Sequence, residues 1–125
     1  MQIATYFFQL QNQLKLYHWQ TPVYARHLAS DSLLNGLLPQ IDTFMEILQG
    51  KKNQRIGMNT NNVSISIQTY DDDHIIDYLR NVVKDLMNIE KTFGGVVTSK
   101  DTDLLNIRDD MVGQINKALY LFTFH

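Results

Sequence analysis

Apolar residues recur every three or four positions along most of the chain, which is the period of an amphipathic α-helix. The first periodic segment runs from Ile3 to Tyr17 and is interrupted at residues 20–22 by Gln-Thr-Pro. A second segment extends from about Val23 to Gln49. Its apolar positions are Leu33, Leu34, Leu37, Ile41, Phe44 and Leu48. The pattern therefore predicts two consecutive helices joined by a short turn.

The second segment contains a proline. Pro39 removes a backbone hydrogen bond and should bend a helix, yet the apolar period continues unbroken through it. We predict one long, kinked helix; two helices that meet near Leu38 are the alternative. Thr21 is the expected N-cap and Pro22 the first helical residue, and Gly50 is the expected C-cap.

Two further helices are predicted in the second half of the chain. The third begins after the aspartates at residues 71–73, because carboxylates favour a helix N-terminus, and it ends at Gly94-Gly95. The fourth follows Thr98 to Asp101, a capping-box pattern with Asp in place of Glu. Its expected core positions are Leu104, Ile107, Met111, Ile115, Leu119 and Phe122.

Residues 51–70 separate the two pairs of helices. This stretch starts with basic and polar residues, and the alternation from Val63 to Ile67 predicts a short extended piece. We interpret the stretch as a long crossover between helices 2 and 3. Two helical hairpins joined in this way form a ferritin-like four-helix bundle, so the predicted fold is all-α, with residues 1–125 in a single domain.

Composition limits the chemistry that this bundle can carry. The 125 residues are 44% hydrophobic and 19% charged, with a net charge of −2, which disfavours binding to phosphate backbones. Cysteine is absent, so thiolate metal sites and cysteine nucleophiles are excluded, and any metal site must use His and carboxylates. No apolar run approaches the roughly 18 residues of a membrane span, so we expect no membrane insertion.

Polar residues form a stripe on the second helix. At about 100° per residue, with His27 at 0°, Asp31 lies at about 40°, Asp42 at about 60° and Glu46 at about 100°. The apolar stripe of this helix lies elsewhere, at roughly 240–340°. His18 comes just before the turn that starts the helix. Imidazole with carboxylate is a ligand set that suits iron, manganese or zinc.

The stripe is too long to bind one ion within a single chain. His27 and Asp42 are 15 positions apart, which is about 22 Å along a helix. If a second subunit packs antiparallel on this helix, the histidines of one chain face Asp42 and Glu46 of the other, giving an isologous dimer with two equivalent sites. The spacing alone is also compatible with solvated carboxylates and with His18 as a C-terminal helix cap.

A family resemblance bears on these alternatives. The residues that resemble the ferroxidase motif of Dps-type miniferritins, a branch of the ferritin-like superfamily, are His18, Trp19, His27, Asp42, Glu46 and Gly50. In that family a His-Trp pair ends the first helix, a second His opens the next helix, and an Asp with a Glu four residues later follows 15 residues on. Residues 101–122 are similar to the closing helix of the family, so the resemblance spans nearly the whole chain.

The resemblance implies a site that oxidises Fe(II) to Fe(III) with hydrogen peroxide or oxygen, with Zn or Mn as possible replacements for iron. By match, His18 and His27 are ligands from one chain and Asp42 and Glu46 come from the other. Asp31 is either an auxiliary ligand or a hydrogen-bond acceptor beside the ligands. The same match implies a two-fold dimer within a hollow shell of 12 subunits that stores ferric mineral. Nucleic-acid binding is expected to be weak or absent.

Other assignments follow from the same residues. The runner-up is a catalytically inactive structural or assembly protein on the same bundle. The expected location is intracellular and cytoplasmic. The resemblance extends to divergent sequences of large DNA viruses, which makes a virion or a viral factory the alternative location. The Glu-x-x-His motif of classical di-iron bundles is absent. Asp101 and Asp103 are candidates either for an acidic ion-entry pore, as in the family, or for helix capping.

Overall fold

A computed structural model describes residues 2–57 and 62–125 of the chain. Its helices are α1 (Gln2–Gln20), α2 (Tyr24–Lys52), α3 (His74–Met87), α4 (Ile89–Thr92) and α5 (Thr102–Leu121). These residues contain no β-strand, and the all-α prediction is confirmed. None of the described helices combines the length and the apolar character needed to cross a membrane.

The long helices pack around one hydrophobic core. α2 lies against α1 and α5, and α3 lies against α5. Phe7 of α1 and Phe44 of α2 meet edge to face, with ring centroids 5.5 Å apart. Phe122, directly after α5, is 1% exposed. Each fully buried side chain of this size contributes about 1.5–3 kcal/mol to stability, so the aromatic contacts hold the helices in place.

The second predicted helix is a single element, but its predicted ends are wrong. α2 continues through Pro39 without interruption and passes Gly50 to end at Lys52. Asn53 takes the left-handed conformation that ends the helix, with φ of 50°, and its N–H bonds to the carbonyl of Gln49. Asparagine tolerates this conformation better than most residues, so no glycine is needed at the end of α2.

The start of α2 also differs from the prediction. The helix begins at Tyr24, with Val23 in extended conformation as its N-cap and no side-chain capping bond. Thr21 does not cap the helix directly; its Oγ1 accepts a hydrogen bond from the N–H of Val23 at 3.3 Å. The residues at 21–23 therefore form a tight connection between α1 and α2, and Pro22 lies within it rather than in the helix.

The third predicted helix is interrupted. Asn88, with φ of −102° and ψ of 35°, leaves helical geometry and separates α3 from the short α4. Gly94 and Gly95 then end the segment with positive φ of 63° and 84°, as glycine allows. The predicted capping box is only half formed, because Asp101 Oδ2 accepts from the N–H of Thr98 at 2.8 Å while α5 starts later, at Thr102.

A long connection lies between α2 and α3, and its residues 58–61 are outside the described residues. Residues 62–71 have neither helix nor turn, and the predicted extended piece belongs to no sheet among the described residues. The connection is attached to α1 through Gln13, which is 2% exposed. The Gln13 side-chain amide donates to the carbonyl of Gln68, and the N–H of Gln68 donates to Gln13 Oε1 at 3.0 Å.

Candidate functional site

The two candidate histidines lie together across the turn between α1 and α2. The Nδ1 atom of His18 is 2.8 Å from the carbonyl oxygen of His27, and the Nδ1 atom of His27 is 2.8 Å from the carbonyl oxygen of His18. The two rings are stacked, with centroids 4.0 Å apart and an angle of 17° between their planes. Each imidazole is therefore oriented by the backbone of the other residue.

This reciprocal contact determines which nitrogen carries the proton. A carbonyl oxygen only accepts hydrogen bonds, so each Nδ1 must be the protonated donor, and in a neutral imidazole the Nε2 atom then keeps its lone pair. Histidines that bind metals commonly donate their other N–H to a backbone carbonyl in this way. The arrangement at His18 and His27 leaves the Nε2 atom of each ring as the nitrogen that can bind a cation.

Three neighbours complete the surroundings of the imidazole pair. Asp31 Oδ1, one turn further along α2 from His27, lies 3.9 Å from His18 Nε2. Ser30 is fully buried and donates to the His27 carbonyl at 3.1 Å. The ring of Tyr24 stacks on His27 at a centroid distance of 6.3 Å. Asp31 is thus the carboxylate nearest to an available imidazole nitrogen.

The remaining candidate ligands are on the same helix but not at the same place. Asp42 and Glu46 are exposed on the outer side of α2. Along the helix axis, Asp42 is about 22 Å from His27. Glu46 lines a surface pocket of about 420 Å³ at the end of α2, together with Arg55. Within residues 2–57 and 62–125, no three His, Asp or Glu side chains of one chain are grouped closely enough to hold a metal ion.

Trp19, the aromatic residue beside His18, is 69% exposed. The Lys15 ammonium lies 5.9 Å from the centroid of its ring, a cation–π distance. The indole is therefore on the surface rather than in the core.

Sequence reasoning missed a network that supports this turn. The Arg26 guanidinium donates to the Phe122 carbonyl at 3.2 Å, to the Tyr17 hydroxyl at 3.2 Å and to the Asp72 carbonyl. It also lies 5.2 Å from the centroid of the Phe122 ring. Thr21 donates to Asp72 at 2.9 Å. Arg26 immediately precedes His27, so the network fixes the first turn of α2 against α1, α5 and the crossover.

Asp101 and Asp103, the candidate pore residues, are paired with a lysine within the chain. Lys51 Nζ lies 2.7 Å from Asp101 Oδ1 and 2.8 Å from Asp103 Oδ1. The Lys51 hydrogen bond lowers the pKa of both carboxyl groups, and the N–H of Thr98 lowers that of Asp101 further. Lys51 therefore offsets one of the two negative charges, and its ion pairs join the end of α2 to the start of α5.

These observations describe an all-helical protein whose candidate site is an imidazole pair at one interhelical turn. Residues 18–122 match a family described as "Family of unknown function (DUF5856)". Because this range covers most of the chain, the protein belongs to that family. Comparison with curated proteins and with solved structures gave no match.

Proposed function

We propose that the protein is a Dps-like miniferritin that binds and oxidises Fe(II) at a site shared between two subunits. The observation that carries the proposal is the pair of stacked imidazoles at His18 and His27, with both Nδ1 atoms engaged by carbonyl oxygens. This leaves the Nε2 lone pair of each imidazole available, in the tautomer that metal binding through Nε2 requires. The resemblance of the motif to that of the miniferritins agrees with this chemistry.

The fold is compatible with the proposal. The chain has two pairs of neighbouring helices, α1 with α2 and α3 with α5, and one long connection between them. We propose that this arrangement is the ferritin-like four-helix bundle. Tyr6 of α1 supports the closure of such a bundle, because its hydroxyl donates to Asp85 of α3 at 3.0 Å.

The carboxylates must come from a second subunit in this proposal. Since about 22 Å separates His27 from Asp42 along α2, an antiparallel copy of α2 is needed to bring Asp42 and Glu46 to the imidazoles. Both carboxylates are exposed, and the structure gives neither of them an ion pair or hydrogen bond within residues 2–57 and 62–125. They are therefore available to an ion at a subunit interface.

Iron is the substrate in this reaction. Each Fe(II) loses one electron, and hydrogen peroxide takes up two electrons and two protons to give two water molecules. Neutral His18 and His27 donate nitrogen lone pairs, while Asp42 and Glu46 of the second subunit supply the negative charge that favours Fe(III) over Fe(II). Asp31 adds a further carboxylate beside His18. Storage of the ferric product in a 12-subunit shell completes the proposal.

A second candidate function is a structural or assembly role without metal chemistry. The reciprocal histidine bonds also close the turn between α1 and α2, which is a sufficient structural reason for both residues. The absence of a three-ligand group within the described part of one chain is compatible with this candidate and with a site shared between subunits. The two functions differ in whether the protein oxidises iron.

Subunit mixing tests the proposal. Asp42→Ala/Glu46→Ala should abolish oxidation of Fe(II), followed by ferric absorbance, while the helical content measured by circular dichroism is unchanged. His27→Ala should also abolish oxidation. A mixed dimer of the two variants keeps one intact site of two, because its His pair and its carboxylates come from different chains, so subunit exchange should restore activity.

The control is Glu90→Ala/Asp110→Ala, which removes two exposed carboxylates from other helices and should leave oxidation unchanged. If the unaltered protein does not oxidise Fe(II), the miniferritin proposal is wrong and the structural role takes its place. If exchange between folded variants restores nothing, the site is not shared between subunits.

A further inference from the structure

The crossover carries an exposed apolar segment with unpaired backbone groups. Val63, Ile65 and Ile67 are 48%, 36% and 41% exposed. No backbone group of residues 63–67 has a hydrogen-bond partner in the part of the chain that the structure describes. Unpaired backbone on a segment of alternating β-branched residues is the chemistry of a strand that pairs with another chain.

Gln68 indicates which edge of this segment is open. Its N–H and C=O both bond to the Gln13 side-chain amide, which occupies the place of a neighbouring strand on the α1 side. In an extended chain, successive residues direct their N–H and C=O groups to opposite edges. The backbone groups of Ile67, Ile65 and Val63 should therefore be directed away from α1, towards a partner.

The sequence of the segment is complementary to itself. Residues 63–67 read Val-Ser-Ile-Ser-Ile, so an antiparallel pair centred on Ile65 places Ile65 opposite its own copy and Val63 opposite Ile67. Ser64 then lies opposite Ser66 on the other face. Residues 62–70 contain no charged side chain, and two copies can approach without charge repulsion.

We propose that residues 63–67 form an antiparallel β-ribbon with the same segment of a second copy of the chain, on a two-fold axis at Ile65. A second copy is the partner favoured by the self-complementary order of apolar and serine residues, which is what an isologous contact requires. This interface is independent of the imidazole pair and of iron.

Disulfide trapping tests both the contact and its register, because the natural chain has no cysteine. In the proposed ribbon the backbone N–H and C=O groups of the two Ile65 residues exchange hydrogen bonds across the axis. Their Cα atoms then lie about 5.5 Å apart, within the range of a disulfide. Ile65→Cys should therefore form a covalent dimer under mild oxidation without iron. Thr69→Cys is the matched control. In the proposed ribbon the two copies of residue 69 are offset by eight residues along the strands, which places them about 27 Å apart.

The expected result is that Ile65→Cys forms the covalent dimer roughly tenfold faster than Thr69→Cys or more, because pairing raises the effective concentration of the thiols. A second pair of variants tests the register: Val63→Cys and Ile67→Cys, one with a size tag, should cross-link when mixed. Neither variant should cross-link by itself, because in the proposed ribbon the two copies of either residue lie about 14 Å apart.

The proposal is overturned if Ile65→Cys forms the dimer no faster than Thr69→Cys. It is also overturned if Val63→Cys alone cross-links as fast as the mixture. Circular dichroism of each variant is the test that the helices are retained. Whether the unaltered protein oxidises iron does not affect this cross-linking result. The β-ribbon proposal and the miniferritin proposal can therefore be disproved independently.

Discussion

The hydroxyl of Tyr17 donates a hydrogen bond to Asp72 Oδ1 at 2.7 Å and joins the last turns of α1 to the end of the crossover. The Tyr17 residue is 1% exposed, and burial raises the pKa of its hydroxyl, so this group remains a donor at neutral pH. Thr21 donates to the same oxygen at 2.9 Å. A single carboxylate thus connects segments that are distant in the sequence.

Replacement of this carboxylate should destabilise the protein. Asp72→Ala leaves the hydroxyls of Tyr17 and Thr21 without their acceptor, and an unsatisfied buried donor costs about 1–3 kcal/mol. Tyr17→Phe keeps the ring and removes two hydrogen bonds, one to Asp72 and one from Arg26, with an expected loss of about 0.5–1.5 kcal/mol for each. Urea denaturation measures both values. Equal free energies of unfolding for Asp72→Ala and the unaltered protein would contradict this role.

The ion pairs of Lys51 predict a particular pH dependence. Lys51 holds the pKa values of Asp101 and Asp103 below the ordinary 3.8. The pairs therefore stabilise the fold above the pKa of unfolded aspartate, and this stabilisation is lost as pH falls through the lower folded-state values. Lys51→Met should destabilise the protein at neutral pH, with a difference that shrinks in acid.

The control for this prediction is Lys117→Met, which removes an exposed lysine of α5. Urea denaturation from neutral pH to about pH 3 covers the range in which aspartate titrates. A difference between Lys51→Met and the unaltered protein that stays constant over this range would show that the ion pairs do not contribute.

Two glycines of α2 offer a matched test of the contact between α2 and α5. A Cβ atom at Gly36 would lie 2.5 Å from Gln114 Oε1 of α5, whereas a Cβ at Gly50 would meet nothing within 4 Å. Gly50→Ala should stabilise the protein by about 0.5–1 kcal/mol, because alanine favours helix more than glycine does. Gly36→Ala should stabilise the protein by less than Gly50→Ala does, or should destabilise it, because the Gln114 side chain must move.

A double-mutant cycle assigns the cause. In a Gln114→Ala background the penalty at Gly36 should disappear, and the two alanine substitutions should have similar effects. Thermal and urea denaturation provide the free energies. If Gly36→Ala stabilises the unaltered protein as much as Gly50→Ala does, the close approach of α2 and α5 at this point is wrong.

The histidine pair should contribute to stability whether or not iron binds. His27→Ala removes one Nδ1 hydrogen bond and the stacked ring, so we expect a loss of about 0.5–1.5 kcal/mol in metal-free protein. His125→Ala, an exposed histidine at the C-terminus, is the control and should have no effect. Unfolding in the presence of a chelator separates this contribution from metal binding. No change on His27→Ala would mean that the turn is held without it.

The helices could be predicted from sequence because their core positions repeat with the helical period. In α5, Leu104, Met111 and Ile115 are buried as predicted, whereas Ile107 and Leu119 are only partly buried at the edge of the core. The ends were less predictable, because they depend on single backbone conformations. The left-handed Asn53 and the break at Asn88 have weaker sequence signals than glycine or proline.

The candidate site was only partly predictable for a different reason. Helical spacing shows that His27, Asp31, Asp42 and Glu46 lie along one polar stripe of α2, so their positions relative to one another could be predicted. The reciprocal bonds of His18 depend on the geometry of the turn at residues 21–23, which helical spacing does not contain. Contacts of Arg26 join segments that are distant in sequence, and no local pattern reveals them.

The contacts around the turn between α1 and α2 also differ in the length of the chain loop that each of them closes. His18 and His27 are nine positions apart, whereas 55 positions separate Tyr17 from Asp72. The entropy lost on loop closure grows with the logarithm of loop length, by about 0.6 kcal/mol for each doubling. We therefore expect the hairpin of α1 and α2, with its imidazole pair already assembled, to form early in folding, and the crossover to dock onto it later.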